Sequence, residues 1–219
     1  DICSNIIHMV LARIEGGQPG TKGLSLFIVP KIWVNEDGSL GEPNDVLTIG
    51  IEHKLGLRGS STASLSFGEN NSCRGILIGN PPVDGVGEGM AQMFQMMNGA
   101  RMDTGMAGYC VATQAYNNAV DYARNRIQGR SFKDPKAGRV PIIYHADIRR
   151  ILLNIKSYTD AMRAMAFKTY YYFDISRHSP DEAERQTAKD RIEVMTPLVK
   201  AYCTDLAWPL IGDAIQVYG

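Results

Sequence analysis

Arg124-x-Arg126-x-Gln128 is a set of side chains able to hold phosphate, because arginine presents a planar fork of donors matched to phosphate oxygens. Cations closing a helix are equally explained by the macrodipole alone, and Arg149-Arg150 admits the same two readings. Another cation, Arg101, ends Met97-Asn98-Gly99-Ala100-Arg101, within a stretch that carries Met90, Met93, Met96, Met97, Met102 and Met106. Thioethers mould to irregular shapes, so these methionines either line an adaptable apolar cavity or form ordinary bundle core. A charge is not buried alone, so something anionic should meet Arg101.

Other chemistries find no support. His8, His53, His145 and His178 are scattered without His-x-x-x-His or Glu-x-x-His spacing, which argues against a metal site. Neither Gly-x-Ser-x-Gly nor a Walker-type Gly-x-x-x-x-Gly-Lys occurs. Gly85-x-Gly87-x-Gly89 lacks the parallel βαβ context of a dinucleotide fingerprint and reads better as the junction at a helix start. Cys3, Cys73, Cys110 and Cys203 lie far apart, as expected of free thiols in a reducing compartment, and a cytoplasmic location follows as an expectation.

Lys plus Arg and Asp plus Glu each total 23 among 219 residues, so no basic excess favours nucleic acid or an anionic membrane. No apolar run approaches the ~18 residues that span a bilayer. The chain opens on Asp1 with neither methionine nor secretory signal, as an internal piece of a longer protein would.

Two periodicities divide the chain. Residues 1–82 alternate short β-branched runs with Gly, Pro and Asn, and predict strands at Asn5–Ile14, Leu24–Val29, Val46–Ile51, Ser64–Phe67 and Gly75–Ile78. Glu15–Lys22 and Asn35–Asp45 read as turns, and the Leu24–Val29 strand is apolar enough to be covered on both faces. Residues 83–219 read as helices: Met90 to about Ile127, closed by the Arg124-x-Arg126-x-Gln128 set, then Pro141 to about Arg177. A third starts at Ser179-Pro180-Asp181-Glu182 and runs towards Val217, with Pro197 and Pro209 kinking it or ending a segment. Gly129–Val140 is a polar connector. Gly99, Gly105 and Gly108 each cost ~1 kcal/mol inside a helix, which close packing or a ligand must justify. The Ile148, Ile151, Leu152, Ile155, Tyr158, Met162, Met165, Ala166 stripe faces a core. The expected class is α+β: a partial antiparallel β-barrel or sandwich, then an incomplete up-down four-helix bundle.

Taken in order, several motifs resemble the flavin-dependent acyl-CoA dehydrogenase family. They are Gly23-Leu-Ser-Leu-Phe-Ile-Val-Pro30, Lys54-Leu-Gly-Leu-Arg-Gly-Ser-Ser-Thr62, Gly87-x-Gly89-Met90, Asn98-Gly-Ala-Arg101, Tyr122-Ala-x-x-Arg126-x-Gln128 and Asp213-Ala-Ile-Gln-Val-Tyr-Gly219. The Asn35–Glu42 insertion and Gln128-Gly-Arg130 resemble a longer subgroup that includes methylmercaptopropionyl-CoA dehydrogenases.

The resemblance implies oxidation of an acyl-CoA to the 2-enoyl-CoA, a step of fatty-acid metabolism. FAD is the hydride acceptor, an electron-transferring flavoprotein takes the electrons, and the oligomer is a dimer or tetramer. By position, Asn98 and Arg101 match residues lining the acyl-CoA pocket. Arg126 and Gln128 match flavin contacts made by a neighbouring subunit, and His145 a further one, although Ala146 follows where Gln is usual. Gln216, Val217, Tyr218 and Gly219 match the loop at the adenine end of the flavin. The catalytic glutamate is expected beyond Gly219, and the alternative position on the first bundle helix holds Ala100. The 219-residue piece alone is therefore expected to be inactive and colourless. The competing class is a non-enzymatic helical oligomerisation module, which has no use for FAD.

Overall fold

The computed structural model describes residues 3–134, 136 and 138–219. Asp1, Ile2 and, in the polar connector, Pro135 and Ala137 lie outside the described residues. The chain divides into units of residues 1–95 and 96–219, a boundary that falls within one helix.

The first unit is antiparallel throughout. β1 (Ile7–Arg13), β2 (Leu24–Pro30), β3 (Ile32–Val34), β4 (Leu40–Pro43), β5 (Val46–Ile51), β6 (Ala63–Phe67) and β7 (Ile76–Ile78) form three separate sheets, ordered β1-β2-β7, β3-β4 and β5-β6. Among the described residues no closed barrel forms. β2 is central, pairs from Leu24↔Arg13 to Pro30↔Ile7, and buries Ser25, Leu26, Val29 and Pro30 on both faces, as a run whose only polar residue is Ser25 requires. The Asn35–Asp45 segment is not all turn: Ile32↔Pro43 and Val34↔Leu40 pair across it. Behind that hairpin the buried Asn44 donates Nδ2 to the carbonyls of Pro30 (2.8 Å) and Arg74 (2.7 Å) and accepts from Arg74 N–H at 2.9 Å. A satisfied buried carboxamide of this kind fixes one arrangement of the strands around it.

The glycines at 87 and 89 are explained by packing against β2. A Cβ on Gly87 would lie 2.3 Å from the Leu24 carbonyl oxygen, and one on Gly89 would lie 2.6 Å from the Ser25 carbonyl carbon. Only glycine permits such backbone approach.

α1 (Gly89–Asn125), α2 (Ala146–His178) and α3 (Glu182–Gln216) are the long helices. A short hairpin, β8 (Ile127–Arg130) with β9 (Arg139–Pro141), separates the first two. Two expectations are corrected here. Pro141 does not open a helix; it ends β9 opposite Ile127, and α2 starts at Ala146. Arg126 and Gln128 lie beyond α1, Gln128 in β8, so only Arg124 sits in the last helical turn. Gly129 and Arg130 at one end of the expected connector, and Arg139 and Val140 at the other, are strand residues of that hairpin. Proline fits an edge-strand end as readily as a helix start, and here the cross-strand partner decides.

α3 passes through Pro197 and Pro209 without ending. Both prolines are exposed, as are Glu193 and Asp205, whose carbonyls lose their usual helical donor on a solvent-facing side where water can replace it. Asp181 caps α3, its carboxylate accepting from Ala183 N–H at 2.9 Å. The core of the second unit joins Met102, Ala112 and Ala119 of α1, Ile151, Ile155 and Met162 of α2, and Val199, Cys203 and Leu210 of α3. Gly105 and Gly108 are needed for that packing: a Cβ would lie 2.8 Å from Val199 Cγ1 and 2.7 Å from the Cys203 carbonyl oxygen respectively. Of the methionine-rich stretch, Met102 is core and Met106 packs against it, whereas Met96 and Met97 are exposed. Tyr158 likewise departs from the α2 stripe and is exposed.

Candidate functional site

The end of α1 begins the site. Arg126 N–H donates to the Tyr122 carbonyl at 2.8 Å, prolonging the helical bond pattern by one residue before the chain turns into β8. The hairpin pairs Ile127 with Pro141 and Arg130 with Arg139, so β8 takes three steps where β9 takes two. The extra residue is a bulge, a device that re-aims side chains beside a strand. It contains Gly129 at φ +71°, and a Cβ there would lie 3.3 Å from both Cε1 and Nε2 of His145.

His145 comes from the opposite direction. Ile142 N–H donates to the Arg126 carbonyl at 2.8 Å and opens a single 3-10 turn, which delivers His145 to the residue before α2. Its side chain makes no cap bond to α2. Instead Nε2 stands 2.6 Å from the Gln128 carbonyl oxygen. A carbonyl only accepts, so Nε2 carries the proton in this contact.

The third contribution is the end of α3. Val217 is buried and anchors the last turn, with Tyr218 N–H donating to the Ile215 carbonyl at 3.0 Å. The Tyr218 ring lies 4.4 Å from that of Tyr122 at 31°, and the Tyr122 hydroxyl donates to the Tyr218 carbonyl at 3.5 Å. One face of Tyr218 is thus backed by another ring while the residue stays 47% exposed.

These three elements enclose a cleft of about 350 Å³. Arg126, Gln128, His145, Gln216, Val217, Tyr218 and Gly219 all line it. Tyr122, Gly129, Ile142 and Ile148 complete the wall and were not singled out from the sequence as site residues. Tyr122 stands in the Tyr122-Ala-x-x-Arg126 motif, where its spacing was informative but its ring contact was not. The Arg126 guanidinium and the carboxamides of Gln128 and Gln216 have no hydrogen-bond or ion-pair partner among the described residues. A cationic fork, two uncommitted amides and a half-exposed ring are a donor set that fits a phosphate-bearing heteroaromatic cofactor.

Asn98 and Arg101 are elsewhere. They meet each other on α1, with Arg101 Nη1 3.5 Å from Asn98 Oδ1 and both half-buried. Gly99 has nothing within 4 Å of a built Cβ, and Ala100 is exposed. Along α1 the step from Arg101 to Arg126 is roughly 37 Å at 1.5 Å per residue. One copy of the chain does not bring both arginines to the same reacting atoms.

Among the described residues no group of three or more His, Cys, Asp or Glu side chains could hold a metal, and no helix is long and apolar enough to cross a membrane. The four cysteines are free.

The family model for the acyl-CoA dehydrogenase C-terminal domain matches residues 87–219. A butyryl-CoA dehydrogenase of Syntrophomonas wolfei is 51% identical over 219 residues, covering all of this chain and 36% of that protein. The 3-methylmercaptopropionyl-CoA dehydrogenase of Ruegeria pomeroyi is 38% identical over the same span and share. Among solved structures, butyryl-CoA dehydrogenase from Megasphaera elsdenii matches with a TM-score of 0.65 at 21% identity, over 97% of this chain and 46% of that one. Caenorhabditis elegans ACDH-11 in complex with C11-CoA gives 0.74 at 20% identity, over 97% and 32%. These structural matches show a shared fold. The chain spans about a third of the length of the curated relatives it matches.

Proposed function

The chain belongs to the acyl-CoA dehydrogenase family, and on that premise we propose that the protein containing it oxidises an acyl-CoA to the 2-enoyl-CoA with FAD. The observation that carries this reading is the convergence of Arg126, Gln128, His145 and residues 216–219, from three separate elements, on one cleft. Two relatives at 51% and 52% identity named butyryl-CoA dehydrogenase favour a short acyl chain.

FAD held in the cleft would supply an acceptor for the β-hydrogen of the acyl chain as hydride. The chain's own residues bind and orient. Arg126 would pair with the cofactor's phosphate oxygens, and Gln128 and Gln216 would hydrogen-bond its polar edges. Tyr218, stiffened by Tyr122, would offer a flat apolar wall. Asn98 and Arg101 would border the acyl-CoA, their donors drawing charge towards a polarised thioester. Because most of the length of α1 separates Arg101 from Arg126, the reading includes a homo-oligomer in which one copy's cleft serves another copy's substrate. An electron-transferring flavoprotein would take the electrons. Proton abstraction is not assigned within residues 98–101, where Ala100 offers no base, and the isolated 219-residue chain is expected to show no turnover.

The test is the absorption spectrum of the full-length protein together with butyryl-CoA-dependent reduction of a dye acceptor. A flavin band and turnover are expected; failure to take up FAD after reconstitution overturns the reading. One observation favours a helical pairing module instead: the exposed Val194, Leu198, Tyr202 stripe of α3, at four-residue spacing. A pairing module would remain flavin-free.

A further inference from the structure

We propose that His145 is a positioning residue that holds the Gln128–Gly129 bulge and thereby aims Arg126 and Gln128 into the cleft, and that it is not a charged contact to the cofactor. This rests on the reading of the cleft as an FAD site.

Three features of the second unit carry it. The His145 ring already spends its Nε2 proton on the Gln128 carbonyl at 2.6 Å, so that edge is closed to a phosphate oxygen. Gly129, at φ +71°, leaves free the space the ring fills, since a Cβ would crowd Cε1 and Nε2 at 3.3 Å. Backbone, ring and bulge therefore form one fitted unit. The same carbonyl-to-ring link ties β8 to the start of α2, while the Ile142 N–H bond to the Arg126 carbonyl ties the other end of the turn. Arg126 and Gln128 flank the clamped peptide, so their side-chain directions depend on it.

The clamp has a signature that a charged contact lacks. Both the neutral Nε2–H tautomer and the imidazolium donate through Nε2, so cofactor affinity should not depend on the charge of His145. A histidine that neutralised phosphate would instead bind the cofactor more weakly once it lost its charge at higher pH. The titratable or charged groups around it are Tyr122, Arg126 and Tyr218 in the cleft, with Asp147 and Arg149 following on α2. Asp147 is held by Arg150 at 2.8 Å.

The experiment is equilibrium titration of the full-length apoprotein with FAD at pH 6, 7 and 8, on the wild type, His145→Gln, His145→Phe and Gly129→Ala. The wild-type dissociation constant should stay within about threefold across this range. His145→Gln, which keeps a donor, should stay close to wild type. His145→Phe, which keeps a ring but strands the carbonyl, should bind about tenfold more weakly, the size expected for one orphaned hydrogen bond. Gly129→Ala, by pushing the ring away, should weaken binding in the same direction. If His145→Phe does not fold, the Gln and Ala variants and the wild-type pH profile decide. Wild-type affinity that collapses between pH 6 and 8 but no longer does so in His145→Gln overturns the proposal. So does a His145→Phe protein that binds as wild type, while FAD uptake by the wild type leaves the functional reading standing. A wild type without FAD affinity overturns both.

Discussion

Two stretches of α1 carry the residues of greatest interest, and they are built in opposite ways. At the C-terminal end, Tyr122 stacks on Tyr218, the Arg126 carbonyl receives Ile142, and His145 clamps the following bulge. The Tyr122 and His145 side chains are each placed by a contact distant in sequence. Around Asn98–Arg101 the Arg101 guanidinium lies 3.5 Å from Asn98 Oδ1 along the same helix, and a Cβ on Gly99 would face open space. The first region is a finished cleft within one unit, whereas the second is a helix face.

Charge reversal of dependence gives the sharpest contrast. Arg126→Gln should weaken FAD binding by about 10- to 100-fold, corresponding to the ~1.5–3 kcal/mol of a charge-assisted hydrogen bond. Arg101→Gln should leave FAD affinity unchanged and lower acyl-CoA turnover; flavin titration beside steady-state assays separates the two. Equal losses of FAD affinity would erase the distinction between the regions.

The glycines test the same contrast through stability. Gly108→Ala drives a methyl into the Cys203 carbonyl and should destabilise the second unit by ~1–3 kcal/mol in denaturant unfolding. Gly99→Ala meets nothing and should stabilise by ~0.5–1 kcal/mol, the helix-propensity gain alone. Between these, Tyr122→Ala removes the ring pair and should cost ~0.5–1.5 kcal/mol beyond lost area, while Tyr122→Phe keeps the stack and should lie near the wild type.

The smallest effect belongs to the first unit. Burial alone would push the Asp45 carboxyl up, but the Asn70 and Ser72 N–H groups and side chains outweigh it and hold it below the usual carboxylate range. A depressed folded-state value means stability is present above the ordinary Asp range and lost as pH falls through the lowered value. Asp45→Asn should therefore flatten the acid limb of the first unit's unfolding profile; an unchanged limb would show that the carboxylate contributes nothing there.

Much of this arrangement was legible beforehand, for identifiable reasons. Val46–Ile51 was read to the residue because turn chemistry brackets it on both sides. Ordered motifs single out Arg126, Gln128 and residues 216–219, which the structure brings to one cleft, because motif order registers position without needing contacts. β3 and β4 were not, because three- and four-residue strands flanking Asn35–Gly38 are too short to show alternation against strong turn residues. Pro141 misled because its fixed φ suits both a helix start and a strand end, and only the pairing with Ile127 discriminates. The role of Gly129 was out of reach, since the reason for it, a histidine ring 16 positions on, is tertiary.

A crystal structure of the full-length protein with FAD would show directly whether the cleft holds the cofactor. The cofactor's diphosphate should lie within hydrogen-bonding distance of the Arg126 guanidinium, with its polar edges on Gln128 and Gln216. FAD bound at full occupancy elsewhere, with no contact to Arg126 from any copy, would contradict it.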